Sequence, residues 1–128
     1  MSECKKHGKY NLPQNVYLRT LYLIRDYERL KAIREDIIYG SPPPADGQPR
    51  GSGNKSDETA IKAIRLEMIS KECEAVEQAM ICIPEEYRSG VVNNVMYQIK
   101  YPDMAHYRTW VKYKGKFIKN VAENIGYI

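Results

Sequence analysis

The stretch Asp103-Met-Ala-His-Tyr-Arg-Thr-Trp-Val-Lys-Tyr-Lys-Gly-Lys-Phe-Ile-Lys-Asn-Val-Ala-Glu-Asn-Ile-Gly126 decides how this chain reads. At about 100° per residue, a helix gathers Arg108, Lys112, Lys116 and Lys119 within an arc of roughly 80°. Trp110, Tyr113, Phe117 and Val121 fall opposite, and Tyr107, Val111, Ile118 and Ile125 widen that apolar side. Tyr101-Pro102 makes a break before it, Asp103 is the expected cap, and Gly126 the expected stop, so the helix should cover about 104–124. Gly115 leaves two outcomes open: one continuous helix, or a break that splits the stripe. The apolar face should dock on the body of the protein and leave the stripe to water or phosphate. Thr109 and Asn120 border the stripe, where polar side chains reach base edges if the helix enters a major groove. Lys114, on the other flank, is placed to touch backbone phosphates, and Trp110, the only tryptophan, reads as a core anchor, with base stacking as the alternative.

Charge points to the same segment. Residues 1–99 carry 14 Lys/Arg and 14 Asp/Glu and are neutral. Residues 100–128 carry Lys100, Arg108, Lys112, Lys114, Lys116 and Lys119 against Asp103 and Glu123, which is the whole net charge of +4. Such a one-ended excess suggests an anionic partner, whereas the plain alternative is a solvated helix face.

Upstream, the apolar spacing is helical too. Asn11 is positioned to cap and Pro13 to occupy the first turn of a helix of about 25 residues. Its stripe is Val16, Leu23, Ile24, Tyr27, Leu30, Ile33 and Ile37, and Gly40 with Pro42-Pro43-Pro44 stops it. Residues 40–57, with four prolines and four glycines, read as a linker. A second helix should open at Ser56 or Asp57 and run to about Cys82, burying Ile61, Ile64, Met68, Ile69, Cys73, Val76, Met80 and Ile83. Pro84-Glu85-Glu86 opens a third, with acids at the positive end of the dipole; Tyr87, Val91, Val95 and Met96 continue it, and Gly90 weakens it by about 1 kcal/mol relative to alanine. No internal repeat or strand is evident.

The 128 residues suffice for one core, and 43% hydrophobic with 28% charged residues argues against wholesale disorder. Three cysteines, an N-terminus without an apolar run, and no stretch long enough for a membrane span give the expectation of a cytoplasmic protein. The segment Gly47–Ser56 has the flavour of a phosphate-binding loop, but Gly53 is followed by Asn54 rather than Lys and no strand precedes it; Arg50 and Lys55 are left as candidate backbone contacts. Cys4 and His7 have a ligand-like spacing without a second pair, so no metal or other cofactor is expected. Cys73 and Cys82 read as small core hydrophobes. The adjacent acids Glu35-Asp36 and Glu85-Glu86 do not converge on one atom, and His106 has no nucleophile beside it, so an enzyme is not expected.

Three blocks carry a resemblance: Ser41–Gly53 with Ser56-Asp57 after it; Ile83-Pro84-Glu85-Glu86-Tyr87-Arg88; and Tyr101-Pro102-Asp103 leading into Arg108-Thr109-Trp110 and Phe117-Ile118. Together they resemble the phage-encoded late transcriptional regulators of the ArpU and RinA type, and the part from Ile83 onward is similar to sigma-factor region four. The resemblance implies a helix-turn-helix DNA-binding protein with a recognition helix beginning near Met104. His106, Arg108, Thr109 and Lys112 would then face the groove.

The resulting expectation is an all-α chain. Residues 1–39 form an N-terminal segment and long helix, 40–57 a Pro/Gly-rich linker, and 58–128 a helical region ending in a helix-turn-helix-like unit, in one compact domain. The expected function is a sequence-specific DNA-binding regulator of phage or prophage genes, using His106, Arg108, Thr109, Lys112, Lys114, Lys116 and Lys119. Expected partners are double-stranded DNA, RNA polymerase and a second copy of the chain, with no membrane. The alternatives are a phage DNA-packaging or assembly adaptor that binds DNA non-specifically as an oligomer, and a module whose basic helix meets an acidic protein surface.

Overall fold

The computed structural model describes residues 12–40 and 52–128, the side chains of 52–56 excepted. These residues form five helices and no strand: α1 (Gln14–Arg25), α2 (Tyr27–Tyr39), α3 (Ser52–Ile81), α4 (Glu85–Tyr97) and α5 (Tyr107–Ile125). Helix α5 packs on α1, α3 and α4, while α2 packs on α3. Ile24, Val76, Val91, Val95, Trp110, Phe117, Ile118 and Val121 meet in the core, each at most 1% exposed.

The single long N-terminal helix expected from the spacing is two helices. At Asp26 the backbone sits at φ −93°, ψ 0°, and its N–H is shared between the carbonyls of Tyr22 and Leu23. The break falls where the chain changes neighbour: α1 packs on α4 and α5, α2 on α3. Arg25 Nε donates to the Val95 carbonyl at 3.0 Å and ties the end of α1 to α4. Pro13, without a side-chain cap, precedes α1; the expected cap Asn11 lies outside the described residues.

Most of the expected linker, residues 41–51, lies outside the described residues, but 52–57 are helical and belong to α3. Once a helix is nucleated, each further residue adds a hydrogen bond, so propagation carries α3 into poor helix formers such as Gly53 and Asn54. The expected stripe of α3 is only half buried. Ile69, Cys73, Val76 and Ile83 are in the core, whereas Ile61, Ile64 and Met68 are 63%, 58% and 63% exposed. No helix among the described residues covers that half of α3. Cys82 is exposed, past the last turn of α3, and is not a core residue.

Helix α4 opens after Pro84 with Glu85 and Glu86 in its first turn, as the sequence indicates. Arg88 acts as a clamp for the preceding helix end. Its Nε donates to the Met80 carbonyl at 2.9 Å, and its Nη2 to those of Ile83 at 2.9 Å and Ile81 at 3.2 Å. They belong to the last turn of α3 and the residues just after it, where the regular helical bonds run out, although the Met80 carbonyl also accepts the Ile83 N–H at 3.1 Å. Gly90 faces Trp110. A Cβ there would stand 2.6 and 2.8 Å from Trp110 Cζ3 and Cη2, and 3.0 Å from Pro102 Cδ, so glycine is what lets α4 and α5 approach.

Gln98, at φ 59°, ends α4 in the left-handed region. The connection to α5 spans residues 98–106, longer than the three- or four-residue turn of a helix-turn-helix. Helix α5 begins later than expected and Asp103 does not cap it. His106 does, with Nδ1 accepting the Arg108 backbone N–H at 3.0 Å. Gly115 does not break the helix; it is buried within it, and Gly126 ends it at φ 91°.

Candidate nucleic-acid interface

Helix α5 is anchored by one side. Trp110, Gly115, Phe117, Ile118, Val121 and Ala122 are buried against the bundle. An aromatic column fixes the N-terminal half. Tyr101 stacks on Trp110 at 5.3 Å and 8°, Tyr87 meets Trp110 edge-on at 5.3 Å, and Tyr113 stacks on Tyr87 at 4.9 Å. Trp110 is thus a core anchor, 1% exposed, with no face left for a base.

The other side carries the cations. Arg108, Lys112, Lys116 and Lys119 are all exposed, and His106 is exposed at the helix start. Thr109, Lys114 and Asn120 are half-buried along the flanks. At 1.5 Å rise per residue, Arg108 to Lys119 extends over about 16 Å. Lys112 Nζ lies 5.3 Å and Lys116 Nζ 6.0 Å from the Tyr113 ring centroid, so both ammonium groups ride on the edge of the aromatic column. Neither pairs with a carboxylate among the described residues. Glu123 is the single acid within α5. The arrangement is a continuous cationic ridge on a rigid support, chemically suited to a row of phosphates.

The candidate residues therefore divide. Arg108, Lys112, Lys116 and Lys119 share the exposed ridge; Thr109 and Lys114 flank it; His106 spends one ring nitrogen on capping. Arg50 lies outside the described residues, as do Cys4 and His7, and the Lys55 side chain is likewise not described. Among the described residues no group of three or more His, Cys, Asp or Glu side chains is arranged to hold a metal ion, and no helix is long and apolar enough to cross a membrane. Sequence reasoning overlooked Asn94 and Tyr101, whose positions become informative only when the 98–106 connection folds over α5. Set against families of known proteins, characterised proteins and solved structures, the chain matches none of them.

Proposed function

We propose that this protein is a DNA-binding transcription regulator that engages duplex DNA through the exposed face of α5. The observation that carries the reading is the ridge of Arg108, Lys112, Lys116 and Lys119, exposed along one side of a helix whose other side is locked in the core. The regulatory role, phage or prophage genes as its target and RNA polymerase as a neighbour rest on the resemblance of the three sequence blocks. In this reading α4 and α5 serve as the two helices of a helix-turn-helix-like unit with an extended connection.

Duplex binding measured across a salt series tests it. With all four ridge cations on phosphates, log K should fall by about 3.6 per tenfold rise in salt, at about 0.9 per contact. A cognate duplex should outcompete random duplex by about a thousandfold or more. Absence of binding at low salt would sink the reading.

A second reading, an assembly or packaging adaptor, is favoured by one observation: Ile61, Ile64 and Met68 form an exposed apolar row on α3 at coiled-coil spacing. It expects sequence-indifferent binding by an oligomer held through that row. Light scattering of the protein and its Ile61→Glu/Ile64→Glu variant separates the two. A mass that drops to the monomer in the variant, together with no preference between cognate and random duplex, supports the adaptor; a monomeric parent chain removes it.

A further inference from the structure

The first half of α3 has a face without a partner. Every residue from 57 to 65 is exposed, and the first buried side chain described in α3 is Ile69. A helical stretch of this length gains little from propensity alone and usually owes its stability to the packing of an apolar face. Such a face is present: Ile61, Ile64 and Met68 follow one another at spacings of three and four, each more than half exposed. The chain outside the described residues has little to cover it with. Residues 41–51 contain no aromatic residue and no Leu, Ile, Val or Met, and residues 1–11 offer only Met1 and Tyr10 as large apolar side chains.

The charges beside the row select a second copy of the same helix. With Ile61 and Met68 at a positions of a heptad and Ile64 at d, Glu58 and Arg65 both stand at e, on one flank of the row. Among the described residues neither takes part in an ion pair. When two copies lie antiparallel with Ile61 facing Ile64 of the second copy, the same flank of each helix meets. Glu58 then comes opposite Arg65 of the second copy, and by symmetry this happens twice.

The neighbouring arrangements bring like charges together. Sliding one helix by a heptad sets Arg65 against Arg65 and Glu58 against Glu72; sliding it the other way sets Glu58 against Glu58. A parallel pair in register sets Asp57 on Asp57, Lys71 on Lys71 and Glu67 beside Glu72. Flanking charges of this kind choose register and orientation by penalising the alternatives.

We propose that the protein dimerises through the first half of α3, antiparallel, with Ile61 and Ile64 of the two copies interleaved and a Glu58–Arg65 ion pair at each end of that contact. The two-fold axis passes beside residues 62 and 63. Such an interface uses the same patch on both copies and closes at two. This pairing shares the apolar row with the adaptor reading and goes beyond it in register, orientation and stoichiometry. Each copy contributes about three turns of helix, less than the ~800 Å² per partner of a standard interface, so the dimer is weak and exchanges readily.

Sedimentation equilibrium of the full chain, without DNA, from micromolar to millimolar concentration tests the pairing. The expected result is a reversible monomer–dimer equilibrium with no larger species, abolished in Ile61→Glu/Ile64→Glu. Arg65→Glu alone and Glu58→Arg alone should each raise the dimer Kd about tenfold, since both attractive pairs become repulsive. Mixing these two single variants should restore the dimer, because every facing pair is again of opposite sign. Glu58→Arg/Arg65→Glu in one chain should restore it as well. All four positions in these variants are exposed, so circular dichroism should stay that of the parent. A monomer at millimolar concentration overturns the proposal and removes the adaptor reading with it. A dimer whose Kd ignores the single charge reversals, or is not restored by the mixture, overturns the proposal and leaves the adaptor reading standing; so does a species larger than two. A charge-sensitive dimer that prefers cognate over random duplex supports the pairing and removes the adaptor.

Discussion

Gly90 shows how a residue acquires a meaning that local rules invert. By helix propensity alone, Gly90→Ala should stabilise α4 by about 1 kcal/mol. The structure puts Trp110 carbons 2.6 and 2.8 Å from the new methyl group, on a ring packed between Tyr101 and Tyr87. Gly90→Ala should therefore destabilise the protein by about 1–3 kcal/mol, the usual range for overpacking, as read by urea denaturation. A gain in stability would show that the α4–α5 approach is looser than described.

Glu77 of α3 is the other residue where position decides chemistry. Its Oε2 accepts from Tyr27 Oη at 2.7 Å and from Arg34 Nη2 at 2.6 Å, joining α2 to α3. Burial pushes its carboxyl pKa up, but the hydrogen bonds from Arg34 and Tyr27 outweigh that and hold it below the ordinary carboxylate range. Burial, and then the Glu77 hydrogen bond, push the Tyr27 hydroxyl up. A carboxylate with a lowered folded pKa adds stability above its unfolded value of about 4.3, and that part is lost as pH falls through the folded value. Asp26 is lowered as well, by its hydrogen bond from Arg29, but that pair is exposed enough for solvent to screen most of its worth. Glu77→Gln should lower stability by about 1.5–3 kcal/mol at neutral pH. It should also flatten the acid limb of the stability–pH curve below about pH 4, where the parent protein loses this contribution. An unchanged acid limb would exclude Glu77 as its origin.

At the scale of elements, Arg88 holds one helix end and α5 presents another helix's face. Arg88 serves three carbonyls at the end of α3, so Arg88→Met should cost about 1.5–3 kcal/mol, measured by thermal or urea unfolding. Arg88→Lys should recover only part, because an ammonium lacks the planar fork that reaches several acceptors at once. In α5 the ridge is separable from the anchor. Lys112→Glu/Lys116→Glu should abolish duplex binding while the circular dichroism of the helices stays unchanged, since both side chains are exposed. Binding that survives this change would make the ridge a solvated face.

Over the whole molecule, the sequence by itself determined that the chain is helical, where the Pro84 break and the Gly126 stop lie, and that α5 would bury Trp110, Phe117 and Val121 and expose Arg108, Lys112, Lys116 and Lys119. Periodicity and end signals are local, and they carry this information without knowledge of neighbours. Only the tertiary structure decided the rest. Asp26 interrupts a continuous apolar pattern because α1 and α2 pack on different helices. Ile61, Ile64 and Met68 repeat as well as Ile69 and Cys73 do, yet are exposed, because burial needs a second surface and none among the described residues reaches them. Gly90 became a contact because α4 meets α5 at Trp110, and Asn94 and Trp110 came to line one cavity because the 98–106 connection folds back over α5. Contacts between residues distant in the chain depend on which surfaces meet, and no spacing within one helix encodes that.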